Sequence, residues 1–140
     1  REIQSESGQY GFPTALPLDS EILNRCGPHF EKGRYEESIQ IALKIFETRL
    51  RVTTGLSNDT TGQKLASSAF DEGHLKWGET EGENDSLKLL FMGMIGTYRN
   101  PAAHRFTNPN RVEAFSVLYF TSNLLQILES ASTREERTTP

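Results

Sequence analysis

The stretch SLKLLFMGMIGTYRNPAAH, residues 86–104, decides how this chain folds. Leu87, Leu89, Leu90, Phe91, Met92, Met94, Ile95 and Tyr98 make its first part apolar nearly all round at helical spacing. A helix of that kind needs neighbours on several sides and belongs in the middle of a helical bundle. Gly93 and Gly96 each cost about 1 kcal/mol relative to alanine in a helix, so they predict close approach by another backbone. Pro101 lacks the amide donor and pushes Asn100 out of the α region, so the helix is expected to kink or stop there. Asn100 is then suited to cap a new turn with Pro101 at its first position.

The break matters because of what flanks it. Arg99 and His104 stand five positions apart, about 140° around an unbroken helix, which would separate them. A break at Pro101 lets them converge. Arginine grips a phosphate through two parallel hydrogen bonds and histidine exchanges a proton near neutral pH, the two abilities that cleavage of RNA without a metal requires. The plainer alternative is structural: an arginine in the last turn of a helix favours the negative end of the dipole, and a histidine beyond it satisfies free carbonyls.

Working outward, the chain offers three further helices and a long excursion. Asp19 or Ser20 caps a first helix bearing Ile22, Leu23 and Cys26; Gly27 and Pro28 are expected to interrupt it, Phe30 to anchor its continuation, and Gly33 to end it. The second helix has Glu36 and Glu37 in its first turn, Arg49 and Arg51 in its last, and Gly55 just beyond. Ile39, Ala42, Leu43, Phe46 and Leu50 form its main stripe, with Ile41, Ile45 and Val52 away from it, so it needs more than one neighbour. A short helix carrying Leu65, Ala66, Ala69 and Phe70 leads into an acidic excursion containing His74 and Trp77, with a short strand or hairpin expected at residues 75–77. His74 has no second histidine or cysteine at ligand spacing and reads as a loop residue. Asp85 or Ser86 should cap the third helix, and Asn108-Pro109 should open a fourth along Val112, Phe115, Leu118, Phe120, Leu124, Leu125 and Leu128. The fold class expected is all-α, a bundle of four main helices with an additional excursion between the second and third. Residues 1–17 read as a flexible arm or linker whose Tyr10, Phe12 and Leu16 are able to dock on the core, residues 18–130 as the helical domain, and residues 131–140 as a disordered tail.

Composition narrows the function. A net charge of −4 over 140 residues argues against a general nucleic-acid binder with a large basic surface. The charge is uneven, however. Residues 86–112 hold Lys88, Arg99, Arg105 and Arg111 and no acid, so these cations are candidate RNA contacts beside the Arg99–His104 pair. Residues 71–85 hold six acids against Lys76 alone and read as a solvated segment. No apolar run is long enough to cross a bilayer, no signal peptide is visible, and the lone Cys26 suits a buried core position in a cytoplasmic protein. The chain begins at Arg1 and reads as a domain excised from a longer protein.

With the motif at the end of the third main helix, the chain resembles the HEPN superfamily, all-α domains whose ribonuclease members carry an arginine, a polar residue directly after it, and a histidine four to six intervening residues on. Arg99, Asn100 and His104 match that pattern. HFEKGRY at residues 29–35, the helix of residues 39–51, Thr54-Gly55, Arg99-Asn100-Pro101 and Ala103-His104 resemble the Ymh-type family of bacterial HEPN-like proteins, over roughly residues 18–128. Pro28 and the acidic segment at residues 71–85 depart from the pattern. The resemblance implies a metal-independent endoribonuclease without cofactor, with Arg99, Asn100 and His104 catalytic, working as a homodimer with a composite site. It also implies a place in a toxin or antiphage defence system, with an antitoxin, sensor or other domain as partner. The alternatives are a non-catalytic HEPN domain that binds a partner protein, nucleotide or RNA within a larger assembly, and a structural dimerisation bundle in which Arg99 pairs with a carboxylate.

Overall fold

The computed structural model describes residues 10–11, 17–99, 108–131 and 133, and its elements are helices: α1 (Ser20–Glu31), α2 (Tyr35–Thr54), α3 (Gly62–Asp71), α4 (Glu81–Tyr98) and α5 (Arg111–Ser130). The chain is an all-α bundle. Its hub is α2, which packs on all four of the others, whereas α4 packs chiefly on α3. Leu43, Phe46 and Leu50 of α2 are fully buried, and Ile45, expected to lie off the stripe, is buried with them. The additional neighbour that α2 requires on that account is supplied within the chain by α3, whose Leu65, Ala66 and Ala69 are fully buried. The Phe91 ring meets Phe46 and Phe70 edge to face, at 4.9 and 5.6 Å between centroids, and so ties α4 to both. Cys26 is buried in this core, and loss of water, with the Glu21 carboxylate nearby, pushes its thiol up to about 12.

Four local expectations are corrected. Helix α1 runs unbroken through Gly27 and Pro28. Pro28 lies in the last turns, where it forfeits only the bond to the Asn24 carbonyl, and Asn24 is exposed to water. The helix ends as foreseen at Gly33, whose φ of 77° allows Arg34 N–H to reach the His29 carbonyl at 2.8 Å. The cap of α4 is Thr80, five or six residues earlier than expected: its hydroxyl accepts from Glu83 N–H at 3.1 Å while the Glu83 carboxylate accepts from Glu79 N–H at 2.6 Å. Much of the acidic segment is therefore the end of α3 and the start of α4. Among the described residues the strand expected at 75–77 is reduced to an isolated β-bridge at Lys76; Leu75 is buried, and Asn84 holds the segment through Trp77 N–H and the Leu75 carbonyl. Finally, α5 is capped by Asn110, whose side chain accepts from Glu113 N–H at 2.8 Å.

The glycines of α4 also serve differently from expectation. A Cβ on Gly96 would meet the side chain of Gln63, whose amide donates to the Met92 carbonyl at 3.1 Å, so the close neighbour is a side chain and not a backbone. Among the described residues, Gly93 has nothing within 4 Å of its Cβ position. Leu89 and Leu90 on this helix are 66% and 42% exposed. Leu87, Phe91, Met94 and Ile95 face the core, so one side of the apolar α4 surface is left uncovered.

Candidate functional site

Arg99 follows the last residue of α4 and still has helical backbone angles, its N–H bonding the Ile95 carbonyl at 2.9 Å. Its side chain turns inward to α2. Nε donates to Glu47 Oε2 at 3.0 Å and Nη1 to Gln40 Oε1 at 3.3 Å. Gln40 in turn donates to the Tyr98 carbonyl at 2.8 Å and to Glu36 Oε1 at 3.1 Å. Glu47 is only 4% exposed, and its other oxygen accepts from Gly62 N–H at 2.7 Å, at the start of α3. One buried carboxylate thus joins the end of α4 to the start of α3 through α2. An unpartnered charge at that depth would cost several kcal/mol, so the two donors are what allow Glu47 to stay there.

The arrangement fixes the guanidinium from its stem side. The Arg99 side chain is 36% exposed, and among the described residues neither N–H of Nη2 meets an acceptor. A planar group held in this manner has donors left to present to an anion, and loses little freedom in doing so.

The other expected site residues divide into three groups. Asn100, His104 and Arg105, with the expected break at Pro101, lie outside the described residues. Lys88 is eleven positions before Arg99 on α4, roughly 16 Å along the helix at 1.5 Å per residue, and its ammonium pairs with Asp71 of α3 at 3.1 Å. It is not brought beside Arg99. Arg111 opens α5 with its guanidinium 5.4 Å from the centroid of the Phe30 ring, at the end of the bundle where Tyr98 and Tyr35 pack around Ala114. Among the described residues no group of three histidine, cysteine or acidic side chains is placed to hold a metal, and no helix is long and apolar enough to cross a membrane.

Glu47 and Gln40 were not singled out from sequence. The signal existed: two polar residues seven apart lie on one face of a helix, and here that face also carries Leu43 and Leu50. What no spacing rule supplies is that their partner would arrive from a helix end 52 positions away.

Neither a curated protein nor a solved structure matches the chain. A family model does, over residues 16–128, a span that takes in the five described helices up to the last turn of α5, with Glu47, Gln40 and the whole of the Arg99–His104 segment. The chain belongs to this family, Hypoth_Ymh, described as a protein of unknown function.

Proposed function

We propose that the protein is a metal-independent endoribonuclease of the HEPN type, acting in a toxin or antiphage defence system. The observation that carries the reading is the guanidinium of Arg99, anchored by Glu47 and Gln40 with its Nη2 unmet among the described residues, in an Arg-Asn segment followed by His104. Arg99 holds the scissile phosphate and offsets the charge that grows on its oxygens. His104 takes the proton from the ribose 2′-OH or delivers one to the leaving 5′ oxygen, and Asn100 orients the pair. The O2′–P bond forms, the P–O5′ bond breaks, and the products end in a 2′,3′-cyclic phosphate and a 5′-hydroxyl. DNA lacks the nucleophile and is not cut. A two-fold pair of chains supplies a second His104 so that base and acid stand on opposite sides of the phosphate. The uncovered α4 face, with Leu89 and Leu90, supports such pairing on the helix that carries the motif.

A second reading rests on the same contact. The pairing of Arg99 with buried Glu47 is also what the structural dimerisation bundle requires, in which a carboxylate holds Arg99. Incubating the protein with labelled single-stranded RNA in excess EDTA separates the two. The expected outcome is cleavage with cyclic-phosphate ends, reduced at least a hundredfold in His104→Ala and in Arg99→Lys, which keeps the charge beside Glu47 but loses the planar fork. Products with 3′-hydroxyl ends, or cutting unaffected by His104→Ala, would discard the nuclease mechanism; uncut RNA points to a bundle that does not cut RNA.

A further inference from the structure

A row of aromatic rings leads away from the Arg99 end of the bundle. Tyr35 at the start of α2 meets Phe30 near the end of α1 at 5.3 Å between centroids, Phe30 meets Phe115 of α5 at 6.3 Å, and Phe115 stacks on Tyr119 at 6.3 Å with 9° between planes. Phe30 and Tyr35 pack against the same small cluster as Tyr98, the residue before Arg99. All four rings are half-buried, not covered. Two hollows open along the row and share Phe115: one of about 510 Å³ between α1 and α5, and one of about 400 Å³ along α5 where Tyr119 and Asn123 stand together.

The charges at the Arg99 end of the row are mixed, with Lys32, Arg34 and Arg111 set among Glu31, Glu36, Glu37 and Glu113. Arg111 lies over Phe30, Arg34 precedes Tyr35 with its side chain 56% exposed, and Lys32 is exposed between them; Glu37 answers Arg34 only at 3.9 Å and is shared with His29. Further along, Ser116 and Asn123 put a hydroxyl and an amide on the exposed side of α5 beside the rings. Flat rings for stacking, guanidinium groups near them for phosphates and an amide for base edges form the combination that single-stranded nucleic acid uses. An apolar helix docking on the same surface would have no use for Arg34, Arg111 and Asn123.

We infer that the Tyr35–Phe30–Phe115–Tyr119 row is a base-stacking track that receives the single-stranded part of an RNA substrate and leads it to Arg99. This rests on the nuclease reading, and adds to it that the substrate is unpaired on one side of the cut. Base stacking contributes about 1–3 kcal/mol per base, so loss of one ring weakens binding by about five- to 150-fold.

The test measures binding of a fluorescent, fully 2′-O-methylated single-stranded oligonucleotide, which cannot be cut, by anisotropy, together with cleavage of the matching RNA. Tyr119→Ala should weaken binding at least fivefold and raise KM for RNA in step, with the loss in KM and not in kcat. Tyr119→Phe should bind as the native protein does, which separates stacking from a general loss of structure, and Arg111→Gln should weaken binding and flatten its salt dependence. A Tyr119→Ala protein that binds the oligonucleotide like the native one overturns the track and leaves the nuclease reading standing if RNA is still cut. Tighter binding of duplex RNA than of the single strand also overturns it. A native protein that neither binds nor cuts defeats both.

Discussion

Arg99 and Glu47 form the contact on which stability and function both depend. Glu47 is 4% exposed and has two partners, Arg99 Nε and Gly62 N–H. Arg99→Ala would leave a buried carboxylate with one of them, at a cost of about 3 kcal/mol, the lower end for such pairs because Arg99 is itself 36% exposed. Adding Glu47→Gln removes the stranded charge while an amide oxygen can still accept from Gly62. The double variant should therefore be more stable than Arg99→Ala alone, with a coupling of about 1–3 kcal/mol in urea unfolding. Equal or additive losses would mean that the pair does not act as a unit. For the same reason, lost activity in Arg99→Ala by itself does not assign catalysis, whereas Arg99→Lys keeps a cation beside Glu47.

At the scale of elements, the amphipathic pattern and end signals made much of the fold legible. Helix α2 follows its charges and Gly55, which adopts a φ of 73° and bonds the Arg51 carbonyl at 2.7 Å. The misreadings have local physical causes: Pro28 is tolerated because it sits near a helix end beside an exposed carbonyl, and the Thr80–Glu83 cap outweighs Asp85 and Ser86 because it satisfies two amides from both sides. Of the candidate site, the position of Arg99 at the end of α4 was legible, while its partners were not, because a contact between residues 47 and 99 has no sequence period. Gly93 shows how far the pattern reaches. Its helical cost was visible, but the close neighbour inferred from that cost is absent within 4 Å among the described residues. Gly93→Ala should consequently stabilise the folded chain by about 1 kcal/mol, a rise of about 4 °C in Tm for a domain of this size. A fall in Tm would show that another backbone covers this face in solution, as expected if two chains meet along α4.

Over the whole molecule, one ion cluster ties together the elements remote from Arg99. Asp19 caps α1 through the N–H groups of Glu21 and Ile22, takes both Nη atoms of Arg49 on α2 at 2.5 and 2.7 Å, and donates its own N–H to Ser122 of α5 at 3.0 Å. The hydrogen bonds from Arg49, set against partial burial, hold the Asp19 carboxyl below its ordinary value, and Asp19 and Glu21 push Arg49 further up. A carboxylate whose folded pKa is depressed binds its proton less readily in the folded state than in the unfolded one. Its contribution to stability is thus fully present above the unfolded value of about 4 and is lost as pH falls through the folded value. Asp19→Asn isolates this effect, since asparagine caps a helix as well as aspartate but carries no charge for Arg49. The variant should be less stable than the native protein by about 1–2 kcal/mol at pH 7. The gap should narrow in urea unfolding series taken below pH 4 and go on closing with further acid, because the native protein then loses the charge that the variant never had. A gap that stays constant from pH 7 to the acid limit would assign the cost to packing around Ser122 and the cap instead of to the Asp19–Arg49 pair, and the three helices would then be joined there by shape and neutral hydrogen bonds alone.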